Sequence, residues 1–114
     1  AAAFDIKQGE GGLVDLEFLL QALVLDRAAT DPALLQPRNT PALIEALHQG
    51  AIFDAGTAAA LQSAHVTLLA RGLECTLDRR ARRVPPDATV EQAREAIRQA
   101  ARAHGLVFAD TAAT

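Results

Sequence analysis

Lys7-Gln8-Gly9-Glu10-Gly11-Gly12 stands directly ahead of a run of helix formers that begins at Leu13. A glycine-rich turn in front of a helix is a place where backbone N–H groups and the positive end of the helix dipole can face an anion. The order is wrong for a Walker A loop, which sets Lys after the glycines and beside Ser or Thr. Lys7 precedes them. A tight turn that uses glycine's freedom at positive φ is therefore the reading the residues favour. Inside the helix follow Asp15, Glu17, Gln21 and Asp26. Asp15 and Glu17 are two residues apart, so on a regular helix they diverge and cannot chelate one metal together. Two-metal nucleotidyl transfer needs clustered carboxylates, and the sequence holds no Asp-x-Asp or Glu-x-Asp.

The second candidate is the loop from Asp78 to Ala88, which carries Arg79, Arg80, Arg82 and Arg83 and closes on Pro85-Pro86. Consecutive prolines exclude helix there. The arginines read as a solvated loop, as a clamp on the acidic strips of the first helix, or as a grip on phosphate or a carboxylate-rich partner. His65 points inward on its helix and has no second His or Cys at ligand spacing, so it reads as a hydrogen-bonded core residue. Cys75 lies on an apolar face and reads as a small core residue rather than a nucleophile.

The elements that must position these groups are helices. The first, expected from Leu13 to Ala29, is apolar nearly all round at about 100° per residue. A helix of that kind is normally buried in a bundle. Its carboxylates then require an Arg, a Lys or backbone donors. Whether arginines of this chain supply them, or one carboxylate faces a neighbouring domain, stays open. Pro41–Gln49, capped by Thr40 and ended by Gly50, forms a short helix. Ala51-Ile52-Phe53 tucks into the core. A long alanine-rich helix follows from Asp54 or Thr57 to Leu77, and Gly72 within it marks close backbone packing. Thr89 caps a last helix that Gly105 ends at His104. The whole is an all-α bundle of four main helices, 13–29, 41–49, 57–77 and 89–104, with room for a short extended lead-in before the turn at 1–12.

A chain of 114 residues supports one core. Net charge is −3 and aromatics make up 4%, which argues against nucleic acid. No apolar run approaches the roughly 20 residues of a membrane span. One cysteine excludes an internal disulfide and fits a reducing cytoplasm. The chain begins Ala1-Ala2-Ala3 and contains no Met, which reads as a domain cut from a longer protein.

The run from Phe4 to Gln21 resembles the K-x-G-x-G-G-[hydrophobic]-x-[DE]-[IL]-E-F-x-x-Q signature of the glutamine synthetase adenylyltransferases, through Lys7, Gly9, Gly11, Gly12, Asp15, Leu16, Glu17, Phe18 and Gln21. In that family the signature opens the helical domain after a nucleotidyltransferase core. The resemblance extends less specifically through Pro32, Asn39-Thr40, Leu43, Leu47, Gly50, Arg94 and Ile97. Departures are His65 and Leu69, where the family tends to carry an Ala-Tyr-x-x-Leu-Arg pattern, and the missing C-terminal Trp.

The resemblance implies a helical domain without its catalytic core, inactive by itself. It implies a parent that moves AMP from ATP, with Mg²⁺, to a tyrosine of glutamine synthetase and so regulates nitrogen assimilation; the transferase half near the C-terminal end is favoured. No catalytic or metal residue is expected in this chain. Lys7, Gly9, Gly11, Gly12, Asp15, Glu17 and Gln21 become candidates to face nucleotide or core, and Arg79, Arg80, Arg82 and Arg83 candidates to face a partner. The implied partners are the parent's core, glutamine synthetase and the PII protein. The alternatives are the related domain of a PII uridylyltransferase and a non-enzymatic interaction module.

Overall fold

Capping residues set the helix boundaries. In the computed structural model, which describes residues 3–35, 39–77, 83–85 and 87–106, the helices are α1 (Leu13–Arg27), α2 (Thr40–Gln49), α3 (Ala55–Leu77) and α4 (Ala88–Ala103), with a 3₁₀ turn at Pro32–Leu35. Asn39 Oδ1 accepts the N–H of Ala42 at 2.9 Å, Asp54 Oδ1 that of Thr57 at 2.7 Å, and Asp87 Oδ1 that of Val90 at 2.9 Å. The expected caps Thr40 and Thr89 are thus replaced by Asn39 and Asp87. A cap must hold an extended backbone just outside the helix, as Asn39 and Asp87 do, whereas Thr40 and Thr89 already lie within α2 and α4. Gly105, at φ +76°, follows the end of α4.

Two short strands complete the architecture. Strand β1 (Phe4–Asp5) pairs antiparallel with β2 (Arg83–Val84), Phe4 opposite Val84 and Asp5 opposite Arg83. Among the described residues this is the one strand pairing, and the fold is all-α with four main helices. No described helix is long and apolar enough to cross a membrane.

α3 is the central element. It packs along α4 on one side and against α2 and α1 on others. Small residues on the α3–α4 seam, among them Ala60, Ala64, Ala93 and Ala96, allow the close approach that their lack of bulk permits. The core joins Ile6, Leu16, Leu19, Ile44, Leu47, Leu61, Leu68 and Ile97, all fully inaccessible. Phe53 is buried as expected and meets the His104 ring edge-on at 5.6 Å. Cys75 is a buried free thiol.

Two expectations are corrected here. α1 is not buried all round: Leu16, Leu19, Leu20, Leu23 and Val24 face the core, but Val14, Phe18 and Leu25 are 39%, 57% and 77% exposed. The three other helices pack on only one side of α1, whatever its composition. Nor does Gly72 mark a tight backbone approach, since a Cβ there would meet only Ile6 Cγ2, at an ordinary 3.8 Å.

Candidate functional site

The tight approach is found instead in the N-terminal hook, residues 4–15. Asp5 starts it: Oδ1 accepts the N–H groups of Lys7 at 3.0 Å and Gln8 at 2.9 Å, which turns the chain immediately after β1. Gly9 N–H donates to the Asp5 carbonyl at 2.8 Å, Gly12 N–H to Gly9, and the first helical N–H groups of Leu13 and Val14 to the carbonyls of Ile6 and Lys7 at 2.9 Å each. Gly11 N–H donates to Asp15 Oδ2 at 2.8 Å. The N–H groups of Leu13 and Val14, two of the orphan donors at the start of α1, are therefore taken up by the hook itself.

The glycines are set by space. A Cβ on Gly9 would stand 2.5 Å from the Phe4 ring, and one on Gly12 2.5 Å from the Ile6 carbonyl oxygen. Gly11 holds φ +75° with its Cα against the backbone of α4, where a Cβ would lie 3.0 Å from the Arg94 carbonyl. Gly11 is thus favoured by its positive φ, and the α4 backbone beside it leaves a Cβ only a tight fit.

From α4, arginines close over this hook. The Arg94 guanidinium lies 4.1 Å from the centroid of the buried Phe4 ring, its Nε donates to the Glu10 carbonyl at 2.8 Å, and its outer nitrogen pairs with Glu91. Arg98 reaches Glu10 at 3.6 Å and Glu95 at 2.9 Å, and Arg102 donates to Glu95 at 2.8 Å. Hydrogen bonds from Arg98 and Arg102 hold the Glu95 carboxyl below the usual range. Burial pushes the Asp15 carboxyl upward; the Gly11 N–H opposes this, and the nearby Glu10 charge adds a smaller upward push.

The sequence candidates separate in space. Lys7, Glu17 and Gln21 are exposed, while Gly9, Gly11, Gly12 and Asp15 are built into the hook. Asp15 is satisfied by a backbone donor, not by an arginine of the same chain. The arginines that do act on the hook are Arg94 and Arg98, 84 residues away in the case of the Glu10 contact. Sequence reasoning missed them as a clamp; the i,i+3 spacing of Glu91 with Arg94 and Glu95 with Arg98 signals a helix surface network, but nothing local points to Glu10. Arg79, Arg80 and Arg82 lie outside the described residues, and of Arg83 only the backbone, in β2, is described. His65 is half-buried beside Glu17; burial lowers its pKa and the Glu17 charge partly opposes that.

The donor set does not fit a magnesium nucleotide. Among the described residues no three His, Cys, Asp or Glu side chains gather as metal ligands, and the N–H groups of Lys7, Gln8, Gly9, Gly11, Gly12, Leu13 and Val14 already donate within the hook. The arrangement ties the segment ahead of α1 to α4 through the contacts of Arg94 and Arg98 with Glu10 and of Arg94 with Phe4.

Residues 1–111 match the family described as GlnD PII-uridylyltransferase. Over 109 residues, 96% of the chain, the sequence is 56% identical to the bifunctional glutamine synthetase adenylyltransferase/adenylyl-removing enzyme of Stenotrophomonas maltophilia (strain K279a). Over 108 residues, 95% of the chain, it is 53% identical to the protein of the same description from Xanthomonas axonopodis pv. citri (strain 306). The chain spans 12% of the length of these relatives.

Proposed function

The chain belongs to the GlnD PII-uridylyltransferase family, and we propose that it is the helical accessory domain of a cytoplasmic glutamine synthetase adenylyltransferase. The single observation that carries this reading is 56% identity, across 96% of the chain, to a protein described as a glutamine synthetase adenylyltransferase and adenylyl-removing enzyme. Identity at that level over the whole helical domain favours the adenylyl branch over a PII uridylyltransferase.

The domain's own contribution is positional. The hook, locked by Gly11 and Arg94, gives the polypeptide ahead of Phe4 a fixed exit from the bundle, and a rigid exit holds a nucleotidyltransferase core in one orientation. ATP and Mg²⁺ belong to that core in this reading. Lys7, Glu17 and Gln21 face the core as exposed groups, Gly9, Gly11, Gly12 and Asp15 support them, and Arg79, Arg80, Arg82 and Arg83 face glutamine synthetase or the PII protein.

The test is AMP transfer to purified glutamine synthetase from labelled ATP with Mg²⁺, run with the 114-residue chain and with the full polypeptide that carries it. The expected result is an inert short chain and an active full polypeptide. Transfer by the short chain would overturn the accessory role, and an inactive full polypeptide would overturn the activity.

A further inference from the structure

We propose that the outer face of α1, with Phe18 at its centre, is the surface on which the domain directly ahead of Phe4 in the same polypeptide docks. The inference rests on reading that domain as the nucleotidyltransferase core, and adds the apolar anchors of the contact. At 100° per residue Val14, Phe18, Gln21 and Leu25 fall within about 60° of one another, and their common direction is about 160° from that of Leu16, Leu19, Leu20, Leu23 and Val24. The first four are exposed and the other five buried. The outer face is therefore a single stripe on one helix, at i, i+4, i+7 and i+11, the spacing by which a helix presents anchors to a partner. Exposed Glu17 borders it on one edge.

The point of attachment selects the occupant. Val14 N–H donates to the Lys7 carbonyl at 2.9 Å, so the stripe begins where the hook passes. Phe4 stands three residues before Lys7, and at no more than about 3.6 Å per residue its backbone lies within roughly 15 Å of Val14. Strand β1 pairs Phe4 with Val84 and Arg94 covers its ring, so a domain joined there starts from a defined point. The stripe rises about 16 Å from Val14 to Leu25. A domain with a radius of gyration of about 13 Å, ordinary for 100 residues, spans that length.

Size argues against a separate molecule. Val14, Phe18 and Leu25 are the large apolar side chains of the stripe, and they fall well short of the roughly 800 Å² that each partner buries in a stable complex. A domain in the same chain meets the stripe at an effective concentration on the order of millimolar, and a small patch then suffices. Complementarity asks of that domain an apolar patch with a basic side chain or N–H donor beside it, to meet the Glu17 carboxylate.

Photo-cross-linking in the full polypeptide tests it. Phe18 is replaced by p-benzoylphenylalanine, and in a second variant Leu25 is; both positions are exposed. Gln49, exposed on α2, takes the same label as control. After irradiation and digestion, mass spectrometry reads which peptides are joined. Positions 18 and 25 are expected to join peptides ahead of Phe4 in the same molecule, at a yield about tenfold or more above that at position 49. Joining to any other segment, joining between two copies, no joining at position 18, or equal yield at position 49 overturns the proposal. If the Phe18 variant loses its thermal transition, position 25 decides alone. AMP transfer by the unsubstituted full polypeptide is read in parallel. Its absence with the joining intact refutes the functional reading and leaves the docking face; transfer without joining does the reverse.

Discussion

Replacing Arg94 by Ala removes three interactions of one guanidinium at once. Its Nε–H donates at 2.8 Å to the Glu10 carbonyl, a charge-assisted bond worth roughly 1.5–3 kcal/mol. The cation over the buried Phe4 ring, 4.1 Å from its centroid, adds about 1 kcal/mol. The ion pair with the partly exposed Glu91 adds about 0–1 kcal/mol. One side chain makes all three, so they overlap, and the expected net loss is about 2–3 kcal/mol. For a chain of 114 residues, an unfolding entropy of about 2.1 cal/mol/K per residue turns that into a fall in Tm of roughly 8–12 °C. Urea unfolding of wild type, Arg94→Ala, Phe4→Leu and the double variant, followed by circular dichroism, separates the cation–π part, with an expected coupling of roughly 0.5–1 kcal/mol or more. A Tm within about 2 °C of wild type for Arg94→Ala, or a coupling indistinguishable from zero, would refute the claim that α4 clamps the hook.

Three further outcomes are expected. Gly12→Ala forces a Cβ to within 2.5 Å of the Ile6 carbonyl oxygen, with a loss of about 1–3 kcal/mol typical of overpacking. Gly105→Ala meets open space and bears only its φ of +76°, about 1 kcal/mol; denaturant midpoints that reverse the order would contradict the packing account. Asn39→Ala removes the cap on the Ala42 N–H and is expected to lower stability by about 1 kcal/mol, whereas Thr40→Ala leaves the cap in place; the two midpoints decide between the residues. His65 has its pKa lowered by burial, so the folded state resists protonating it. Stability is then full above the ordinary value of about 6.5 and falls as pH drops from there through the lowered folded value. His65→Gln flattens that limb of the stability profile, and an unchanged slope between pH 7 and 5.5 in thermal melts would show that another group titrates there.

Much of the molecule was legible from the chain of residues. Period and punctuation mark four helices, because Pro41, Gly50, Pro85 and Gly105 act on the backbone locally and need no partner. The run from Phe4 to Gln21 resembles the adenylyltransferase signature, and the matched relatives are described as glutamine synthetase adenylyltransferase/adenylyl-removing enzymes. Boundary caps were legible only to within one or two residues: Asn39 and Thr40 adjoin and Asp87 and Thr89 stand two apart, all cap formers, and the backbone angle that chooses between them depends on how the preceding segment arrives.

Tertiary structure decided the faces and the long-range clamp. α1 carries apolar residues on every side, so its sequence has no period to say which side is covered. The arrival of α2, α3 and α4 on the Leu16–Leu23 side leaves Phe18 and Leu25 exposed. In the same way, the spacing within Lys7–Gly12 is compatible with an anion cradle or a packed turn. The choice is made by Arg94, which reaches Glu10 across 84 residues of sequence, and by Gly11, whose positive φ and close α4 backbone disfavour a side chain. Composition and period describe each element alone; the proximity of distant elements is a property of the packed core, and both the clamp and the exposed apolar side of α1 depend on it.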